Sequence, residues 1–217
     1  LAAHSRLTAL QQALLEEFFS LTEAFFLTGG AALAGFHLGH RATHDLDFFT
    51  ASEDLETGVR ALRRAAARLN AGVAETRTSP DFRRFLVSRG DESLVVDLVL
   101  DRVPQIHGSK LAIGRIRVDP LDEIFANKLC ALLGRAEIRD LVDVLFLERE
   151  GLSIEEGLAA GRRKDGGLTP AQLAWVLSQI DLSDAEPIPA DLSRDELDRY
   201  RLDLIDRLLV LASPRHN

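Results

Sequence analysis

Apolar residues recur along this chain at two periods, and each change of period marks a new element. Between positions 5 and 21, Leu7, Leu10, Leu14, Leu15, Phe18 and Leu21 return every three or four residues, the spacing of one helix face. Phe25, Phe26 and Leu27 then make a short apolar run that ends at Gly29 and Gly30. Residues 31–38 are mostly good helix formers, and 45–49 read as a second strand. A helix is expected over 54–70, with Leu55, Val59, Leu62 and Ala66 facing inward and Arg60, Arg63, Arg64 and Arg68 facing outward. Strands are expected at 72–78, 82–88 and 94–100, parted by turn residues at Ser79-Pro80-Asp81 and Gly90-Asp91. The last of these is nearly all apolar, which places it inside a sheet. Residues 102–114 read as a loop and 113–118 as an edge strand. From Asp119-Pro120 onward the period is helical, over 121–133, 137–150, 154–163, 170–179 and 195–211, with breaks at Gly166-Gly167 and at 187–189. The order predicts an α/β (α+β) fold. Residues 1–118 form a mixed sheet with helices on one side, and 119–217 form an α-helical C-terminal part.

The candidate chemistry lies where the first strand meets the first glycines. Gly29 and Gly30 let a backbone approach a ligand closely, and the helix after them presents free N–H groups to an anion. Asp45 and Asp47 stand two apart on the next strand, so both carboxylates leave the same face. Two such oxygens beside a phosphate-binding turn suit a hard divalent cation such as Mg²⁺ that also holds a nucleoside triphosphate. An acid-x-acid triplet alone is weak evidence. Asp54/Glu56, Glu148/Glu150, Asp184/Glu186 and Glu196/Asp198 have the same spacing, but none follows a strand and two glycines. Asp97 interrupts an apolar strand and needs a positive partner there, either a cation or an Arg from a neighbouring strand. Lys128 falls in the apolar stripe of its helix, where it must snorkel out or find an anion.

These residues resemble the nucleotidyltransferase superfamily with the DNA-polymerase-β-like fold, and within it the AbiEii/AbiGii group of toxin-like nucleotidyltransferases. The resembling residues are Gly29-Gly30-Ala31-Ala32-Leu33, His40-Arg41-Ala42-Thr43 and Asp45-Leu46-Asp47-Phe48. The likeness thins toward Leu147 and does not reach the last third. Gly30 stands where many superfamily members have Ser. The resemblance implies transfer of a nucleoside monophosphate from an NTP to a hydroxyl, with two Mg²⁺ ions at Asp45, Asp47 and Asp97. It also implies that Gly29 and Gly30 cradle the phosphates while Arg41 and Lys128 neutralise the departing pyrophosphate. Arg139-Asp140-Leu141-Val142-Asp143 matches an R-D-x-x-D pattern of the group. Asp140 is expected to orient Lys128 or Arg41, or to act as a base, and Asp143 to act there or as an Arg's structural partner. The implied acceptor is RNA, tRNA-like, and the implied partner is a separately encoded antitoxin. Alternatives are a small cationic acceptor such as an aminoglycoside, or an inactive nucleotide-binding relative.

Charge and composition refine this. The net charge is −8. Residues 1–118 hold 14 Lys and Arg against 14 Asp and Glu, while 119–217 hold 12 against 20. RNA phosphates therefore suit the first part, and a cationic acceptor the second. The single cysteine, Cys130, rules out an internal disulfide and reads as a small core residue. Trp175 reads as a core or docking residue. Glu16 and Glu17 break the first apolar stretch, so no secretory leader is expected; no apolar run reaches eighteen, so no membrane span is expected, and the cytoplasm is the expected location. The chain has no Met and begins at Leu1, which leaves the true start open.

Overall fold

The structure, a computed structural model, describes residues 5–51, 54–182, 188, 189 and 191–213. It divides into two compact units: one runs to Val103 and includes His107–Pro120, the other joins Pro104–Ile106 to the residues from Leu121 on.

The first unit is built on a seven-stranded mixed sheet. Its elements are α1 (Ala9–Phe19), β1 (Phe26–Thr28), α2 (Gly29–Ala32), β2 (Asp45–Thr50), α3 (Leu55–Arg68), β3 (Gly72–Ser79), β4 (Phe82–Arg89), β5 (Glu92–Leu100), β6 (Leu111–Ile113) and β7 (Ile116–Val118). The spatial order is β3-β4-β5-β2-β1-β7-β6. β2 runs parallel to β5 and antiparallel to β1, and β1 runs parallel to β7.

Strand alternation gives the sheet two unlike faces. Leu46, Phe48, Phe85, Val87, Val96 and Leu98 point to one face and are fully buried. α1 and α3 pack together on this side. Phe18 of α1 stacks on Phe48 with ring centres 4.1 Å apart, and Phe25 meets Phe18 edge-on at 5.6 Å. Each fully buried Phe contributes about 1.5–3 kcal/mol of transfer free energy, so this cluster fixes α1 to the sheet. Gly58 of α3 lies against the Phe25 ring, where any Cβ would clash. α1 starts at Thr8, which forms a reciprocal capping box with Gln11.

One expectation changes. The stretch before residue 119 is not one edge strand but a hairpin. β6 lies at the edge and β7 pairs with β1, because Gly114 takes φ +61° and turns the chain. The buried Asp119 carboxylate that follows β7 takes the Lys110 ammonium at 2.6 Å. Lys110 also lies over the Phe26 ring.

The second unit is helical: α4 (Leu121–Arg135), α5 (Ile138–Arg149), α6 (Ile154–Lys164), α7 (Pro170–Ser178) and α8 (Arg194–Ala212). Thr169 caps α7 with Pro170 at its first turn, and Ser153 and Ser193 cap α6 and α8. Gly157 lets α6 approach Phe125 and Leu129 of α4. Trp175 is 61% exposed and so is not a core residue. Cys130 is half-buried, and burial pushes its thiol pKa up to about 11, so it stays protonated near neutral pH. Pro187, part of an expected break, lies outside the described residues. Among the described residues no helix is long and apolar enough to cross a membrane.

Candidate active site

The site lies on the sheet face opposite α1 and α3. The pairing registers align Thr28 with Asp47, Asp47 with Asp97, and Asp97 with Arg84. One row across β1, β2, β5 and β4 therefore carries a hydroxyl, two carboxylates and a guanidinium. Asp45 sits two residues before Asp47 on the same face, and both are half-buried.

The glycines close one end of the row. β1 ends at Thr28, and Gly29 takes φ +65° to start α2. A Cβ on Gly29 would come within 2.6 Å of Asp47 Oδ2, so the backbone there lies directly against the carboxylate. A Cβ on Gly30 would meet Arg41 Nη2 at 3.0 Å and Thr43 Oγ1 at 3.2 Å. Thr43 Oγ1 donates to Asp45 Oδ1 at 2.6 Å, and Gln11 Nε2 holds the Thr43 carbonyl at 3.0 Å. Gly29, Gly30, Arg41, Asp45 and Asp47 thus share one small volume. Thr28 Oγ1 is buried with no hydrogen-bond partner among the described residues. A buried hydroxyl in that condition costs free energy until a ligand satisfies it.

The helix after the glycines is not the regular helix that its composition predicts. Past Ala32 it widens into a π-helical turn over Leu33–His37, closed by the amides of Leu38 and Gly39 on the Leu33 carbonyl. π-turns of this kind recur at functional sites. The turn aims His37 Nε2 at the Asp119 carbonyl, 2.8 Å away. Burial lowers the His37 pKa, and the hydrogen bond to that carbonyl only partly opposes it. His37 is therefore neutral when folded. Its contribution is present above the ordinary imidazole pKa and is lost as pH falls through 6.5 toward the depressed folded value. The unfolding free energy of the parent in urea titrations is expected to fall more steeply between pH 7.5 and 5.5 than that of His37→Gln, by at most about 1.4 kcal/mol per pH unit. Parallel profiles would refute this.

Asp97 is 6% exposed and meets Arg84 in a bidentate pair, Nε to Oδ1 at 2.8 Å and Nη2 to Oδ2 at 2.7 Å. Bidentate charged pairs of this geometry are among the stronger hydrogen bonds in proteins. The Asp97 hydrogen bonds and the nearby charges of Asp97, Asp47 and Asp45 raise the Arg84 pKa further. Arg84 was missed as a site residue. Its place beside Asp97 follows from strand register, which the sequence does not display.

Lys128 and Asp140 belong to the helical unit and stand together there. Lys128 Nζ contacts Asp140 Oδ1 at 2.8 Å and Asp143 Oδ2 at 2.6 Å, and Arg135 forks onto Asp140 at 2.7 and 2.9 Å. Both carboxylates are fully buried. Burial pushes the Asp140 carboxyl up, but Arg135 and Lys128 outweigh it and hold it below its ordinary value.

The other acidic pairs do structural work. Asp54 caps α3, Glu148 holds Arg207 and Tyr200, Glu196 meets Arg149, and Asp198 meets Arg201. Asp184 and Glu186 lie outside the described residues.

As donors, Asp45 and Asp47 fit a hard divalent cation: both offer only oxygen and share one half-buried face. Among the described residues no three His, Cys, Asp or Glu side chains form a complete cation cage. Asp97 is engaged by Arg84 instead. Mg²⁺ is commonly held by one or two carboxylates plus substrate phosphates and water, so the pair suffices.

The family model described as nucleotidyl transferase AbiEii toxin, type IV TA system, matches residues 12–209. The chain belongs to this family. The AbiEii match takes in the helical unit and runs well past residue 147, where the likeness visible in the sequence fades. No curated protein matches the chain. Solved structures share the AbiEii chain's fold, among them the following three. A candidate nucleotidyltransferase from H. pylori is 20% identical with a TM-score of 0.60, covering 95% of this chain and 96% of that one. JHP933 from Helicobacter pylori is 21% identical with a TM-score of 0.57, covering 94% and 92%. MenT4, a nucleotidyltransferase toxin from Mycobacterium tuberculosis, is 19% identical with a TM-score of 0.60, covering 94% and 92%. AbiEii membership makes this chain a nucleotidyltransferase of a toxin–antitoxin system, with an NTP as substrate and an antitoxin as partner.

Proposed function

We propose that the enzyme uses a divalent cation to move a nucleoside monophosphate from an NTP to a hydroxyl of RNA. The observation that carries the reading is the Asp45/Asp47 pair with Asp47 against the positive-φ Gly29 and the buried Thr28 hydroxyl unsatisfied beside it. Asp45 and Asp47 would hold the cation, which supplies Lewis-acid charge to the phosphates when bound.

The chain's own groups do the rest. The backbone N–H groups after Gly29 and the Thr28 hydroxyl bind phosphate oxygens. Arg41, beside Gly30, neutralises charge that develops on the pyrophosphate leaving group. Asp97, held by Arg84 in the free protein, would add a third carboxylate to the cation site and so bring the acceptor hydroxyl in line for attack. Lys128 and Asp140 act on the fold of the helical unit, where their charges are spent on each other.

A Cβ at Gly29 would strain a positive-φ position and push Asp47 aside. Gly29→Ala is therefore expected to lower kcat/KM by at least about a hundredfold, roughly 2.7 kcal/mol, and to lower the melting temperature only slightly. Steady-state kinetics with a melting curve check this; wild-type kinetics contradict it.

Support for RNA comes from the exposed arginines of the first unit. Arg63 meets Glu75 and Arg68 meets Glu17 at the surface, and such pairs exchange readily for phosphate because each is worth little. Among the described residues Arg64 and Arg77 have no carboxylate partner. MenT4, similar in fold, is itself a nucleotidyltransferase toxin. The double change Arg64→Gln with Arg77→Gln is expected to flatten the salt dependence of RNA binding by one to two contacts, about 0.7 log unit each for single strands. A salt-independent parent would refute the RNA acceptor.

A further inference from the structure

We propose that Arg84 is a built-in counter-ion that occupies Asp97 in the free protein and must give way when a nucleotide-bound cation arrives. The inference rests on the cation reading above and adds a residue and a regulation to it.

Asp47 and Asp97 are direct neighbours on the parallel pair β2/β5, and like charges opposite one another destabilise a sheet. With no cation bound, something positive has to compensate them. Arg84 is the neighbour of Asp97 on its other side, and its fork covers both Asp97 oxygens. The lone pairs that a metal ion would take are the ones the guanidinium holds. A cation binding to the free protein therefore competes with a bidentate charged pair.

Two observations favour opening of the pair from the arginine side. The Arg84 side chain is 45% exposed, while that of Asp97 is 8% exposed, so the arginine is the partner free to swing outward. An alternative rest lies close by. The Arg84 guanidinium carbon is already 5.5 Å from the Phe82 ring centre, within cation–π range. Arg77, which follows Arg84 in the row on β3, approaches the same ring at 5.6 Å. Arg84 is thus a positioning residue. It holds Asp97 in place and withholds that third carboxylate from the cation until a triphosphate brings its own oxygens.

Mn²⁺ is the probe, its free concentration followed by electron paramagnetic resonance without nucleotide and with a non-hydrolysable NTP analogue. Arg84→Gln is expected to bind Mn²⁺ without nucleotide about tenfold or more tightly than the parent. It is also expected to melt lower in chelator and to regain stability with Mn²⁺. Arg84→Lys, which keeps the charge but not the fork, is expected to fall between; it also serves if the Gln variant does not fold. Equal nucleotide-free affinity in parent and variants overturns the counter-ion role and leaves the cation reading intact. No Mn²⁺ binding by any of them, even with the analogue, overturns both.

Discussion

Asp47→Asn is expected to abolish nucleotidyl transfer while leaving the protein folded. The loss should be at least about a thousandfold in kcat, roughly 4 kcal/mol of transition-state stabilisation. The residue faces Asp97 across the sheet and lies under Gly29, so it touches both halves of the site. Stability should hold or rise by up to about 1 kcal/mol, because one member of a like-charged neighbour pair is removed. Single-turnover kinetics beside a urea melt separate the two effects. A variant with parental rate refutes the carboxylate pair as cation ligands, and a variant that fails to fold gives Asp47 a structural role.

Lys128→Ala is expected to destabilise the protein by about 3–5 kcal/mol, since it leaves two buried carboxylates short of their shared cation. Asp140 keeps Arg135, whereas Asp143 loses the Lys128 ammonium. Adding Asp143→Asn should recover part of the loss, and a double-mutant cycle measures the coupling. The sign with pH follows from the depressed Asp140 pKa. Its contribution is present above the ordinary carboxylate value near 3.8 and is lost as pH falls through the lower folded value. A variant as stable as the parent contradicts the account. If a folded fraction of the variant binds NTP more weakly than the parent, Lys128 also serves the nucleotide; unchanged affinity assigns it to stability alone.

Local pattern made much of this molecule legible. The strand, two glycines and Asp45/Asp47 could be placed because each signal sits within a few residues of the next, and strand period alone puts both carboxylates on one face. The helical stripe that marked Lys128 as anomalous was equally local. What stayed hidden depends on pairing between distant segments. Asp97 was open to either a cation or an arginine, and the register of β4 on β5 supplies Arg84. The hairpin before residue 119 was hidden because its strands are three residues each, too short for a period to show. The π-helical turn was hidden as well, since residues 33–37 carry no feature that distinguishes it from an α-helix. The partners of the outward arginines were hidden in the same way: Arg60, Arg63 and Arg68 meet Asp54, Glu75 and Glu17.

The most direct test of the central claim uses position-specific label. The protein is incubated with total RNA, Mg²⁺ and each NTP in turn, labelled at either the α or the γ phosphate. The account predicts that α-label enters RNA for at least one NTP, that γ-label never does, and that chelator or Asp47→Asn stops the transfer. Incorporation of γ-label, or α-label transfer that survives both chelator and Asp47→Asn, would contradict it.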